Sequence, residues 1–211
     1  MRAAVMVGGE IHDSSTCTSF LRFADLIVAA DGGAQHVLRL GFVPHVVVGD
    51  MDSLDGEQAE RLRQAGCRLL PHPVRKNETD SELAILHAVE QGVDEITILG
   101  ALGGRLDHTM ANVLLLSLPE LRGVRVRLVD GQQEAILIQD EGTIQGRVGD
   151  TVSLLPVAGD AEGITTQGLE YALNDSTLIF GRTRGVSNVL TAPTARVRLR
   201  KGALLCVRYS G

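Results

Sequence analysis

Tryptophan is missing from this sequence, and the other aromatics are few: four Phe and two Tyr in 211 residues. Stacking platforms for single-stranded nucleic acid need more aromatic faces than that. Positive charge is also short. Twenty Lys and Arg stand against 26 Asp and Glu, a net charge of −6. A nucleic-acid footprint requires a basic surface, so that class is set aside. Cysteine is scarce and odd in number. Cys17, Cys67 and Cys206 are too far apart for a disulfide framework or a CxxC zinc pattern. The six histidines form no H-x-x-x-H pair, and no G-x-S-x-G elbow occurs. No apolar run reaches the ~18 residues of a membrane span. The apolar stretch after Met1 is too short for a signal peptide. A cytoplasmic protein that binds neither membrane nor nucleic acid is expected.

What is present has a clear rhythm. Strand-like apolar runs at residues 2–7, Leu26–Ala30, His45–Gly49, Cys67–Leu70 and Glu95–Leu99 alternate with helical spacings. The run Val46-Val47-Val48 does not alternate, as in a strand covered on both faces. Ser14-Ser15-Thr16 predicts a cap for a helix over residues 17–23. Further helices are expected after Asp31-Gly32-Gly33, over Glu57–Gln64, from Thr79 to about Gln91 and from about Asp107 to Ser117. Val124–Val129 and Glu134–Ile138 read as two more strands around an Asp130-Gly131 turn. After Gln139 the helices stop. Short alternating segments such as Thr151–Leu155 and Leu204–Tyr209 follow, separated by Gly, Pro, Asn and Asp. The fold class expected is therefore α/β: a Rossmann-like, mostly parallel sheet domain over residues 1–140, then a smaller all-β sandwich over 141–211. The second part is small for a free-standing core.

Four loops follow strands and precede helices: Asp31-Gly32-Gly33, Gly49-Asp50-Met51-Asp52-Ser53, Asn77-Glu78-Thr79-Asp80 and Gly103-Gly104-Arg105-Leu106-Asp107-His108. In a parallel sheet these loops share one edge, where ligands bind. Each has a plain structural reading beside the functional one. Asp31 and Asp107 can cap helices, Asp52-Ser53 can form a turn, and Thr79 with Glu82 fits a capping box. Capping does not account for two acids at Asp50 and Asp52. Paired hard oxygens there point to magnesium and a phosphate-bearing substrate. The glycines from Gly100 to Gly104 let backbone approach a phosphate, Arg105 can hold its oxygens, and Lys76 adds a second cation beside Asp80. The loop is neither a Walker A sequence nor G-x-G-x-x-G. In the second domain Tyr171 sits in the glycine-flanked segment Gly168–Leu173, where it can stack on a planar ligand or pack at an interface.

Taken in order, Ala30-Asp31-Gly32-Gly33-Ala34, Gly49-Asp50-Met51-Asp52-Ser53, Thr79-Asp80, Gly103–His108 with Asn112, Gly168–Leu173 and Ser187-Asn188 resemble the thiamine pyrophosphokinase family. The resemblance implies an α/β catalytic domain and a β-sandwich. It implies a homodimer with its active site between subunits, and magnesium-dependent transfer of the pyrophosphoryl group of ATP to thiamine. Carried onto this chain, Asp50, Asp52 and Asp80 become the expected metal ligands, with Arg105 and Asp107 joining them as catalytic residues. Asp31, Gly32, Gly33, Lys76, Gly103, Gly104, His108 and Asn112 are expected on the nucleotide, and Thr79, Tyr171, Ser187 and Asn188 on the acceptor. Asp80 and Asp107 both remain as acceptors of the hydroxyl proton. Three positions depart from the family pattern. Met51 replaces the usual Phe, Asn77 replaces an Asp, and Tyr171 stands where a Trp is common. Two rivals are a pyrophosphokinase for a hydroxymethylpterin and a non-catalytic thiamine or nucleotide sensor. The first has no reason to keep Gly168–Leu173 and Ser187-Asn188. The second should have lost some of the acids.

Overall fold

The computed structural model describes residues 1–211, which fall into two units, Met1–Gly131 and Gln132–Gly211. The first holds strands β1 (Arg2–Met6), β2 (Leu26–Ala30), β3 (Val46–Gly49), β4 (Arg68–Pro71), β5 (Glu95–Leu99) and β6 (Arg125–Asp130). Its helices are α1 (Ser14–Phe23), α2 (Gly33–Arg39), α3 (Gly56–Gln64), α4 (Asp80–Glu90) and α5 (Leu106–Leu114), with two short 3₁₀ turns after α5. The strands pair in parallel in the order β6-β5-β1-β2-β3-β4. The valines of β3 are all buried, as a strand covered on both faces must be. The chain runs outward from β1 to β4 and returns to the other side of β1 at β5. The order therefore reverses between β1 and β5, which is where open α/β sheets hold ligands.

Local signals explain most element ends. Thr79 Oγ1 accepts from the Glu82 N–H at 3.2 Å, so Thr79 caps α4, without the reciprocal Glu82 side-chain bond of the expected capping box. Two helix starts differ from expectation. The cap of α1 is Asp13, whose carboxylate accepts from the Ser15 N–H at 2.8 Å and from the Thr16 hydroxyl at 2.6 Å. With Asp13 as cap, Ser14, Ser15 and Thr16 become the first helical turn rather than the cap. At α3, Asp55 and Gln58 form a complete capping box that the hydrophobic spacing did not reveal.

The second unit is all antiparallel. It comprises β7 (Gln133–Ile138), β8 (Glu141–Gln145), β9 (Thr151–Pro156), β10 (Ala161–Gln167), β11 (Ser176–Leu178), β12 (Asn188–Val189), β13 (Thr194–Arg198) and β14 (Leu204–Tyr209). These form two sheets, β12-β9-β14-β7 and β11-β10-β13-β8. One core lies among them, with Ile138, Val152, Leu154, Ile164, Leu190, Val197 and Leu204 buried. Burial alternates along β9 and β13, as expected of strands with one face on a core. The division falls after Gly131 rather than near residue 140. The reason is β7, which pairs with β14 from Gln133↔Tyr209 to Ile138↔Leu204 and so belongs to the antiparallel sheets.

Candidate active site

The loops after β1, β2, β3 and β5 and the start of α4 enclose a cleft of about 800 Å³. Among its walls are Gly8, Gly9, Glu10, Asp31, Gly32, Asp50, Lys76, Thr79, Asp80, Gly103, Gly104, Arg105, His108 and Asn112. Most of the residues singled out in the first unit thus meet in one place. Asp52, Gly33 and Asp107 do not line the cleft.

Asp31, Asp50 and Asp52 each present a carboxylate oxygen within 4.8 Å of the others. Two backbone features produce this convergence. Met51, between the two acids of its loop, lies at φ +65 and its side chain packs on the core. Asp31 lies at φ +39. Such left-handed residues cost about 1 kcal/mol each and cluster at functional sites. Asp31 does not cap α2. The capping position is Gly32, without a side-chain bond, and Asp31 instead accepts from the Ser53 hydroxyl at 2.9 Å. Asp50 Oδ1 accepts from the Asp52 N–H at 3.1 Å. The crowding of negative charge raises the Asp52 pKa, first through Asp50, then Asp31, with Asp80 contributing least.

Glycine is required at two nearby places. A Cβ on Gly49 would sit 2.9 Å from the Asp31 Cβ and 3.1 Å from Asp80 Oδ1, so any side chain there would separate the acids. A Cβ on Gly33 would meet the Met6 carbonyl at 2.1 Å. Gly33 therefore seats α2 against β1 and shapes the site through packing.

Asp80 has a different situation from the one expected of a third ligand. It stands outside the group of three, and Lys76 Nζ donates to its Oδ1 at 2.6 Å. Arg105 donates to both carboxylate oxygens of Asp107, from Nε at 3.1 Å and Nη2 at 2.5 Å. This pairing, first of all, lowers the Asp107 pKa to about 2. Asp107 lies in the first turn of α5, while the capping position belongs to Arg105. Asn112 is buried and donates from Nδ2 to the Ala101 carbonyl at 2.8 Å. It ties α5 to the glycine-rich loop while lining the cleft. The loop after β1 was missed as a site element. Its signal was Gly8-Gly9 directly after a buried strand, followed by the acid Glu10.

In the second unit, Tyr171 is 66% exposed. Its backbone is held at both polar groups by one side chain. The Tyr171 N–H donates to Asn188 Oδ1 at 3.0 Å, and Asn188 Nδ2 donates to the Tyr171 carbonyl at 2.8 Å. The Ser187 N–H donates to Ser153 Oγ at 3.1 Å, with Ser187 at φ +60. The two segments expected on the acceptor are therefore joined, with Asn188 holding the Tyr171 backbone.

The family model described as thiamin pyrophosphokinase, catalytic domain, matches residues 17–128. The model described as thiamin pyrophosphokinase, vitamin B1 binding domain, matches residues 136–204. Thiamine pyrophosphokinase of Bacillus subtilis is 28% identical over 212 aligned positions, covering 97% of this chain and 96% of the relative. The crystal structure of thiamine pyrophosphokinase from Bacillus subtilis superposes with a TM-score of 0.86 at 26% identity, covering 100% of this chain and 99% of that one. That of thiamin pyrophosphokinase from Geobacillus thermodenitrificans gives 0.84 at 28% identity, covering 100% and 98%.

Proposed function

This chain belongs to the thiamine pyrophosphokinase family, enzymes that transfer the pyrophosphoryl group of ATP to thiamine, and we propose that its acidic cleft performs that transfer with magnesium. The observation that carries the assignment of the site is the meeting of Asp31, Asp50 and Asp52 within 4.8 Å. They share their sheet edge with Lys76, Arg105 and the glycine-rich loop. Three carboxylates with hard oxygens suit a magnesium ion, and the raised pKa of Asp52 marks a place that favours a cation. These three acids would hold magnesium, which when bound would supply positive charge toward the phosphate oxygens of ATP.

The chain's own residues do the rest. Lys76 and Arg105 offset phosphate charge, and Gly103 and Gly104 admit the phosphates close to backbone. The thiamine hydroxyl attacks the β-phosphorus; the bond to the α-phosphate oxygen breaks, AMP leaves and the hydroxyl proton is released. Asp107, held at about 2 by Arg105, is a poor acceptor of that proton. A loose phosphoryl-transfer transition state asks little of a base. Tyr171 stacks on a thiamine ring, with Asn188 and Ser187 fixing its loop.

The family resemblance supports a homodimer with the site between subunits. The exposure of Tyr171, Ile179, Phe180 and Val186 supports a partner-covered surface, and light scattering in solution tests it. No helix is long and apolar enough to cross a membrane, and a cytoplasmic location accords with that. To test the substrate, the protein is incubated with ATP, magnesium and either thiamine or a hydroxymethylpterin. Turnover with thiamine alone is expected. Turnover with the pterin alone, or with neither, would overturn the assignment.

A further inference from the structure

Charge in the cleft does not balance. Its walls carry five carboxylates, Glu10, Asp31, Asp50, Glu78 and Asp80, against two cations, Lys76 and Arg105. Lys76 is already bound to Asp80, and Arg105 to Asp107. One divalent ion still leaves the acids in excess. The group to be transferred carries two phosphates, and such transfers are catalysed mostly by positive charge set against the phosphate oxygens. No lysine or arginine on these walls is without a carboxylate of its own.

The second unit offers such a cation. Arg184 lies in the loop between β11 and β12, is exposed and forms no ion pair. Its backbone is fixed. The Val186 N–H donates to the Thr183 carbonyl at 3.1 Å, which makes Thr183–Val186 a tight turn with Arg184 at its first corner. The Leu154 N–H donates to the Gly185 carbonyl at 2.8 Å, and a Cβ on Gly185 would meet the Leu154 carbonyl at 2.1 Å. The turn is thus seated on β9. Three residues further on stands Ser187, and then Asn188, which holds Tyr171. Three residues span at most about 10 Å, so Arg184 travels with the acceptor-binding residues. The acceptor hydroxyl attacks the β-phosphorus, so the transferred phosphates lie beside the acceptor. Apolar surfaces match as well. Val74 and Leu106, at or next to the cleft wall, are exposed, as are Ile179 and Phe180 on the loop of Arg184.

We propose that Arg184 of one subunit enters the cleft of the other and binds the pyrophosphoryl oxygens of ATP, an arginine supplied in trans to the excess of acids there. It donates N–H bonds and takes no proton. This rests on the reaction and the homodimer proposed above.

The test uses thiamine diphosphate formation by the full-length protein. R184A should lower kcat by roughly a hundredfold, the scale of losing one donor to a transition-state oxygen, with the KM for thiamine near wild type. R184K should recover part of the loss, since charge returns without the guanidinium fork. D52N and R184A chains are then co-expressed with different tags and purified through both. In that heterodimer the cleft of the R184A chain is served by the Arg184 of the D52N chain. One complete site of two should restore about half of wild-type activity, although each parent is nearly inactive. No recovery in the heterodimer, or no doubly tagged species, would overturn the proposal. So would R184A that raises only the KM for thiamine, which would make Arg184 a support for the acceptor loop. Wild type that makes no thiamine diphosphate would overturn the reaction assigned above and this role with it. An active wild type beside an unaffected R184A would overturn the role alone.

Discussion

Lys76 Nζ donates to Asp80 Oδ1 at 2.6 Å, so the acid expected to complete the metal site carries its own cation. Both side chains are largely shielded, with 13% and 28% of their surfaces exposed. Asp80 thereby holds the Lys76 ammonium at the cleft that Asp31 and Asp50 also line. Replacing Lys76 by Met should raise the KM for ATP by roughly tenfold, through loss of a charge-assisted contact to phosphate. The KM for thiamine should stay near its wild-type value. Steady-state kinetics with each substrate varied in turn distinguishes the two, and an unchanged ATP KM would count against the phosphate role of Lys76.

Negative charge on Asp50, then on Asp31, raises the Asp52 pKa. Substituting Asn should lower kcat by on the order of a hundredfold or more, the scale of losing a metal ligand in a phosphoryl transfer. The metal-free protein should be at least as heat-stable as wild type, because repulsion from Asp50 and Asp31 is relieved. The rise in Tm on adding magnesium should shrink. A differential scanning measurement with and without magnesium checks both, and a large fall in Tm of metal-free D52N would make Asp52 a structural residue.

Tyr171 should act through its ring. Y171F is expected to resemble wild type, whereas Y171A should raise the KM for thiamine by roughly tenfold, the scale of one lost aromatic contact. N188A should move the same parameter in the same direction, because Asn188 holds the Tyr171 backbone. The ATP KM should not follow. An N188A protein with normal thiamine KM would show that the backbone clamp is dispensable.

Asp13 gives a pH-dependent prediction. Bonds from Thr16, first of all, and from Ser15 lower its pKa from 3.8 to about 2. A depressed carboxyl stabilises the fold when ionised, so its contribution is present above 3.8 and is lost as pH falls toward about 2. D13A should therefore lower the unfolding midpoint at neutral pH. The gap between variant and wild type should close in acid. A gap that stays constant down to pH about 2 would contradict the capping role.

Several parts of this structure were legible in the sequence for physical reasons. Val46-Val47-Val48 reads as a doubly covered strand because it is short, β-branched and does not alternate, and Gly49 marks its end. Once the sheet is parallel, the loops holding Asp31, Asp50, Asp80 and Arg105 must share an edge. What spacing could not show is which acids touch. The grouping of Asp31 with Asp50 and Asp52 depends on positive φ at Asp31 and Met51, a choice made by the fold. The pairing of Lys76 with Asp80 likewise depends on how the segment before α4 turns. Glu134–Ile138 was recognisable as a strand, but its side was set by Leu204–Tyr209, far away in sequence. Glu10 was overlooked because its only signal, a glycine pair after a strand, is shared by ordinary turns.

If the acids ending β2 and β3 hold magnesium on ATP while thiamine attacks its β-phosphorus, phosphorus NMR of wild-type protein with ATP, thiamine and magnesium will show it. AMP and thiamine diphosphate should appear in equal amounts, with no signal growth in D52N or when the metal is chelated. Formation of ADP with thiamine monophosphate, of AMP with free pyrophosphate, or undiminished turnover in D52N would contradict it.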